Sequence, residues 1–206
     1  MNKKIILTFV ITLVIVLAVG CGVAAFILTR DNEVIELKAD DISENTLVVN
    51  DDGTIQSALV EDFGKDYYDI DELADFVKED LKKYNKENKT DISFVDAKSH
   101  DGKAVIVFDY KSIDEYGSYN GIKANVFDAG EALKDERVPA NLVKNGKDGV
   151  VPKERVYENE KYITVVVDGD TQLIVNGKIK YYAGCDVLEE NKVQAKAGER
   201  AVVVFK

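Results

Sequence analysis

The chain has 206 residues, of which 46% are hydrophobic and 32% charged, and its formal net charge is −11. That length and balance suit one fair-sized folded domain or two small ones, and exclude a disordered or fibrous chain. So acidic a field makes nucleic acid and anionic lipid poor partners, and two cysteines leave no room for a disulfide framework.

The first element in the chain is residues 5–28, a run of about 24 residues without a charged side chain, long enough to cross a hydrocarbon core. Lys3 and Lys4 precede it, while Arg30 is followed by Asp31, Glu33 and Glu36. Because Lys and Arg are retained on the cytoplasmic side, this asymmetry predicts a cell-membrane protein that spans once, with a cytoplasmic N-terminus and an extracytoplasmic C-terminal part. Of the 27 basic residues only Lys3 and Lys4 precede Arg30, so that part carries 25 against 38 acids, a balance of −13.

Two mechanisms of attachment are open. Leu17-Ala18-Val19-Gly20-Cys21-Gly22 resembles a bacterial lipobox, which makes Cys21 a candidate lipidation site. Ala18, however, stands where that motif carries a branched residue, and apolar sequence continues from Val23 to Leu28, where lipoproteins turn polar. An uncut signal anchor accounts for the whole run and is the favoured reading. Gly20-x-x-x-Ala24 would let two such helices pack closely, but small residues are ordinary in membrane helices. The other cysteine, Cys185, reads as a small buried apolar residue rather than an intermolecular bridge.

Residues 31–45 are mixed and acidic and read as a spacer. Strands at 46–49 and 55–60 then flank Asn50-Asp51-Asp52-Gly53, whose glycine supplies the positive φ of a hairpin turn. Asp69 and Glu72 form a D-x-x-E capping signature ahead of Leu73, Phe76, Val77, Leu81 and Tyr84, so a helix is predicted over 70–86. A second hairpin follows, from strands at 92–97 and 104–110 about Ser99-His100-Asp101-Gly102, and Ser112-x-x-Glu115 caps a shorter helix ending near Gly121. The ββα pattern thus recurs, with offsets that demand a loop insertion in one copy.

Residues 122–127 read as a strand and Asp128-x-x-Glu131 as another helix start. Asn145-Gly146 marks a turn, and Pro152 is placed to open a short helical turn. Strands at 162–167, 172–175, 178–182 and 201–205 make the tail β-rich. A subdomain boundary within 46–206, if the chain has one, falls near 149–159.

No signature of chemistry emerges. Ser99-His100-Asp101 has the letters of a hydrolytic triad, but consecutive side chains point apart and cannot converge. His100 is the chain's one histidine, which removes multi-histidine metal sites. Asp66, Asp69, Asp71 and Glu72 form an acidic cluster of oxygen donors that invites a Ca²⁺ reading. Ala74 stands where an EF-hand loop has its glycine, and Asp69 and Glu72 already serve as caps, so no metal is assigned. Nucleotide-binding, serine-hydrolase and zincin motifs are absent from the sequence, and no cofactor is expected. Tyr67, Tyr68, Tyr116, Tyr119, Tyr181 and Tyr182 would suit a peptide- or glycan-contacting face, or simply half-buried packing.

The predicted fold is α+β: residues 1–30 a transmembrane or signal-anchor segment, 31–45 a spacer, and 46–206 an extracytoplasmic domain of β-hairpins with two or three helices and a β-rich C-terminal part. The basic start, the anchor with its lipobox-like Cys21, the acidic spacer and the stretch from Asp41-Ile42-Ser43-Glu44-Asn45-Thr46-Leu47 through Asp66-Tyr67-Tyr68-Asp69 resemble membrane-anchored or lipoprotein-type surface proteins of Gram-positive bacteria. That resemblance implies no activity. The expected function is a non-catalytic binding or interaction module with a protein, peptide or glycan partner, held to the membrane by its N-terminal segment. The alternative is a carboxylate-dependent enzyme acting on an envelope or external substrate.

Overall fold

In the computed structural model, which describes residues 34–147 and 149–206, the first hairpin joins β1 (Thr46–Val49) to β2 (Ile55–Asp62). Its turn glycine, Gly53, adopts φ +89°, as the sequence requires. The second hairpin joins β3 (Ser93–His100) to β4 (Lys103–Tyr110) through Asp101 and Gly102, both at positive φ. The long helix α1 (Ile70–Asn88) starts at Asp69, whose Oδ1 accepts from the N–H groups of Asp71 (2.9 Å) and Glu72 (3.1 Å). Helix α2 (Ile113–Asn120) is capped by Ser112, and α3 (Ala129–Lys134) by a full Asp128–Glu131 capping box.

These hairpins abut through their second strands, and the tail adds three more strands beside β1. The result is a seven-stranded sheet in the order β11-β12-β9-β1-β2-β4-β3, where β9 is Gln172–Val175, β11 Cys185–Glu189 and β12 Lys192–Ala195. Every pairing in it is antiparallel except β1 with β9. A six-stranded antiparallel sheet runs β5-β8-β13-β10-β6-β7, from β5 (Ala124–Asp128), β6 (Asn141–Lys144), β7 (Val150–Pro152), β8 (Ile163–Asp168), β10 (Ile179–Ala183) and β13 (Arg200–Phe205). Helix α4 (Lys153–Val156) is a single turn after Pro152.

The inner faces of both sheets close on one core. Leu47, Val49, Ile106, Phe108, Leu173 and Val175 from the first sheet meet Val165, Val167, Ala201, Val203 and Phe205 from the second, with Leu73 and Leu81 of α1 and Tyr116 and Tyr119 of α2 alongside. The intervening residues on the same strands are also buried. Val166, Val202 and Val204 face Ala132, Val138, Leu142, Val156 and Tyr157. Val48, Ala58, Val105 and Val107 face Leu37 and Ala39. Strands covered on both faces read as unbroken apolar runs, which is why Val165-Val166-Val167 and Ala201–Phe205 do not alternate.

The segment expected to be a spacer therefore has a packing role over its described part. Residues 35–42 lie across the outer face of the first sheet as a strap, with Ala39 in a short 3₁₀ turn (Ala39–Asp41). His100 holds it: Nε2 stands 3.2 Å from the Ala39 carbonyl, which can only accept, so that nitrogen carries the proton. The sole histidine thus ties strap to hairpin.

Two glycines let the chain change sheets. Between β9 and β10, Gly177 adopts φ +153°, and a Cβ there would stand 2.8 Å from the backbone carbon of Lys206. Between β10 and β11, Gly184 adopts φ +66°, where a Cβ would collide with the Arg200 carbonyl oxygen. β10 belongs to the second sheet and its neighbours in sequence to the first, so both crossings need a residue without a side chain.

The class is α+β, with four α-helices among the described residues rather than two or three, the additional ones being short. Strands β6, β7, β11 and β12 escaped the sequence reading, the first three because exposed positions interrupt the apolar pattern and β12 because its four residues, Lys192-Val193-Gln194-Ala195, carry only two apolar side chains. Strands from both sides of residues 149–159 share the second sheet, and β9, β11 and β12 complete the first. No helix among the described residues is long and apolar enough to cross a membrane. The 5–28 run, with Cys21, lies outside the described residues.

Candidate ligand-binding groove

The sheet-switching turn that Gly177 permits also helps to build a concavity. Asn176, Gly177 and Lys178 meet the β11–β12 turn at Glu190 and Asn191, the end of β13 at Lys206, and the loop before β8 at Asn159 and Tyr162. The hollow between them has a volume of about 800 Å³. A second hollow of about 370 Å³ shares Tyr162, Lys178, Lys180 and Glu190 with it, and extends to Lys144, Asn145, Ile179 and Tyr181. The two form one groove across the junction of the sheets.

Backbone hydrogen bonds fix the floor. The Ile179 N–H donates to the Glu190 carbonyl at 2.8 Å and the Val175 N–H to the Asn191 carbonyl at 2.9 Å. Lys178 and Lys206 exchange N–H···O bonds of 3.1 and 3.3 Å. Asn145 closes the far side, its N–H donating to the Lys180 carbonyl (2.9 Å) and its Nδ2 to the Ile179 carbonyl (3.1 Å). Tyr162 and Tyr181 stand edge to face with ring centroids 5.9 Å apart.

The electrostatics of the groove oppose those of the whole chain. Four lysines, Lys144, Lys178, Lys180 and Lys206, line it against one side-chain carboxylate, Glu190. Glu190 accepts a 2.8 Å ion-pair hydrogen bond from Lys178, which holds its carboxyl below the usual range and raises the Lys178 ammonium. Both side chains are about two-thirds exposed, so solvent screens the pair and a competing anion can displace it. Burial, and then the neighbouring Tyr162, pushes the Tyr181 hydroxyl up, so it stays a neutral hydrogen-bonding group.

The residues singled out from sequence lie elsewhere, Tyr181 excepted. Asp66, Asp69, Asp71 and Glu72 are exposed around the start of α1, and Asp69 is engaged as its cap. Among the described residues no three His, Cys, Asp or Glu side chains are grouped so as to hold a metal ion. Of the tyrosines, Tyr116 and Tyr119 are core residues packed edge to face on Tyr110 and Phe108 respectively. Tyr110 sits in a buried network: its hydroxyl accepts from Asn120 Nδ2 at 3.1 Å and lies 3.0 Å from Ser57 Oγ, and burial pushes its pKa up to about 12. Tyr67 is exposed and Tyr68 stacks on Phe63.

Among carboxyls, Glu61 is pushed up by burial and then by Asp62 beside it. It lies near the end of β2, outside the groove, and neighbouring strand residues point to opposite faces. The four groove lysines were not marked from sequence because they come from three separate turns and strand ends. Only the pairing of β6 with β10 and of β10 with β13 brings them together.

No protein-family model, curated protein or solved structure matches this chain.

Proposed function

We propose that the protein is a non-catalytic binding module carried outside the cytoplasm on its N-terminal membrane segment. The observation that carries the binding reading is the make-up of the groove: ammonium groups, amides and two tyrosines surround a single side-chain carboxylate already held in its charged form. Such a lining can attract and orient a polar ligand. It offers no acid and base poised near neutral pH, which proton-transfer catalysis needs.

The tether and its orientation rest on the charge-free run of residues 5–28 and on the basic side chains before it. The alternative, a carboxylate-dependent enzyme of the envelope, draws on Glu61, whose raised pKa is the kind that marks catalytic acids. Asp62, the acid that helps raise it, is the next residue of the strand and so is directed to the other face, which favours binding over catalysis. Protease treatment of intact cells, followed by retention of the detergent-solubilised full chain on detergent-washed envelopes, where the membrane segment has no bilayer to enter, tests the proposal. Digestion of the C-terminal part with intact cells, and retention lost on Lys180→Glu, are the expected results. A C-terminal part protected until the cells are lysed would overturn it.

A further inference from the structure

The groove is a basic island on an acidic protein, and the shape and chemistry of its lining narrow what could occupy it. A protein partner would be anchored by large apolar or aromatic side chains entering desolvated pockets. The exposed large hydrophobic residues, Val34, Tyr67, Val95, Val150 and Leu188, do not line the groove, and Ile179, which does, is 3% exposed and belongs to the core. Apart from Tyr162 and Tyr181, whose rings pack on each other, the lining offers a protein or peptide no exposed apolar anchor.

Phosphate is gripped most specifically by bidentate arginine forks or by helix N-termini, whereas lysine meets it only as a point charge. Neither occurs in the lining, whose cations are all lysines and whose backbone comes from strands and turns. A nucleic acid would also bring closely spaced charge toward a chain of net charge −11. Beyond a Debye length of about 8 Å at physiological ionic strength that repulsion is screened, so a sparsely charged ligand can use the lysines without meeting the rest of the surface.

What remains suits sugar. Tyr162 and Tyr181 offer amphipathic rings, Asn159 and Asn191 offer amides, and the lysines offer one point charge each. The two hollows, of about 800 and 370 Å³, share four lining residues, so together they offer a continuous track that suits a chain of sugars. We propose that it binds an acidic glycan, a sugar chain bearing carboxylates, with ligand carboxylates replacing Glu190 beside Lys178 and engaging Lys144, Lys180 and Lys206. This assignment rests on the reading of the protein as an extracytoplasmic binding module.

The test uses the full chain in nonionic detergent, titrated with polygalacturonate, neutral dextran and single-stranded oligothymidylate. Polygalacturonate should bind, more weakly as salt rises. The double variant Lys144→Glu/Lys180→Glu should lose about tenfold or more in affinity, and Glu190→Gln should gain about threefold, since it removes a competing anion from a solvent-screened site. Opposite signs from two groove variants separate this from damage to the fold, which would weaken both. No binding of polygalacturonate, equal binding of dextran, or equal or tighter binding of oligothymidylate would each overturn the glycan assignment. If polygalacturonate fails while the wild-type chain is still retained on envelopes through Lys180, the glycan falls and the binding module stands; a C-terminal part protected in intact cells removes both.

Discussion

Asn50 grips the backbone of Ile35 from both sides: its Oδ1 accepts the Ile35 N–H at 2.9 Å and its Nδ2 donates to the Ile35 carbonyl at 3.2 Å. Asn50 is itself 2% exposed and Ile35 half-buried, so water reaches the pair from one side only. Two residues on, the Leu37 N–H donates to Gln56 Oε1 at 2.7 Å, and the Asp109 carboxylate fixes that amide from its other end at 2.7 Å. The strap is therefore laced to the first sheet by side chains that mimic a paired strand.

Asn50→Ala should destabilise the protein by about 1–2 kcal/mol, from the two lost hydrogen bonds and the half-buried Ile35 backbone groups left without their partner. The denaturant midpoint measures the loss. Faster hydrogen exchange at Ile35 and Leu37, with β8 and β13 unchanged, would localise it to the strap. An unchanged midpoint would mean that the lacing contributes nothing.

How much of this was legible is best judged element by element. The Asp69, Ser112 and Asp128 caps and the Asp-Gly turns carry their geometry in the local residues, so the helices and the first two hairpins could be placed from sequence. The strap could not, because Val34-Ile35-Glu36-Leu37 is too short and too mixed to show that Asn50 and Gln56 would pair with it. The groove is equally a product of long-range register. Lys144 joins Lys180 and Lys206 only through strand pairings that no local pattern encodes. Gly184 gives the same lesson: in sequence it is one glycine among 14, and only the Arg200 carbonyl against it shows why it must be there.

Gly184→Ala should cost about 2–4 kcal/mol, combining strain at a left-handed φ with a clash against backbone that cannot give way. Gly53→Ala is the control. Its φ is also positive, but nothing lies within 4 Å of the added carbon, so a smaller loss of about 1 kcal/mol is expected from the backbone alone. Thermal unfolding of both variants decides the ranking, and equal losses would refute the close-approach argument.

Arg200 clasps Asp168 through two nitrogens, at 2.6 and 2.9 Å, which lowers the carboxyl pKa below its ordinary value. Arg137 does the same for Asp135. With folded values below unfolded ones, the stability these pairs add is present above the unfolded carboxylate pKa of about 4 and is lost as pH falls through the folded values. Asp168→Asn should therefore cost about 1 kcal/mol or less near neutral pH, given the partial exposure of both partners, and should flatten the acid limb of the stability profile. Parallel acid limbs for variant and parent would show that the pair does not contribute.

A chain beginning at Asn32 should be soluble and folded, because the cores of both sheets are built from residues beyond it. Its one cysteine, Cys185, is buried, and that burial, then Asp186, pushes the thiol up to about 12. Thiol reagent should leave the native protein unmodified and label one site after denaturation, while reductant leaves the melting temperature unchanged. Millimolar Ca²⁺ should leave it unchanged too, whereas a ligand at 100 times its dissociation constant would add about 2.7 kcal/mol. Asp69→Ala should lose about 1 kcal/mol through its cap, with or without the ion. A Ca²⁺-dependent rise abolished by that variant would restore the acidic cluster as a metal site.

The last prediction concerns Cys21, where the two modes of attachment differ chemically. In an uncut anchor Cys21 is one small residue of an apolar helix, and Cys21→Ala should preserve both membrane attachment and apparent mass, since alanine is well accommodated there. In a lipoprotein Cys21 is the acylated N-terminus of the mature chain, so the same change would block lipid incorporation and leave the precursor unprocessed. A single acyl chain binds membranes only marginally, and stable anchoring takes two signals, so the lipoprotein route depends wholly on that cysteine. The uncut helix depends on about 24 apolar residues and loses almost nothing with one of them. Because the run continues to Leu28 and Ala18 departs from the lipobox, the first outcome is expected. Intact mass of the membrane-extracted protein decides the matter: an N-terminus at Met1 or Asn2 supports the uncut anchor, and a chain beginning at a diacylated Cys21 refutes it.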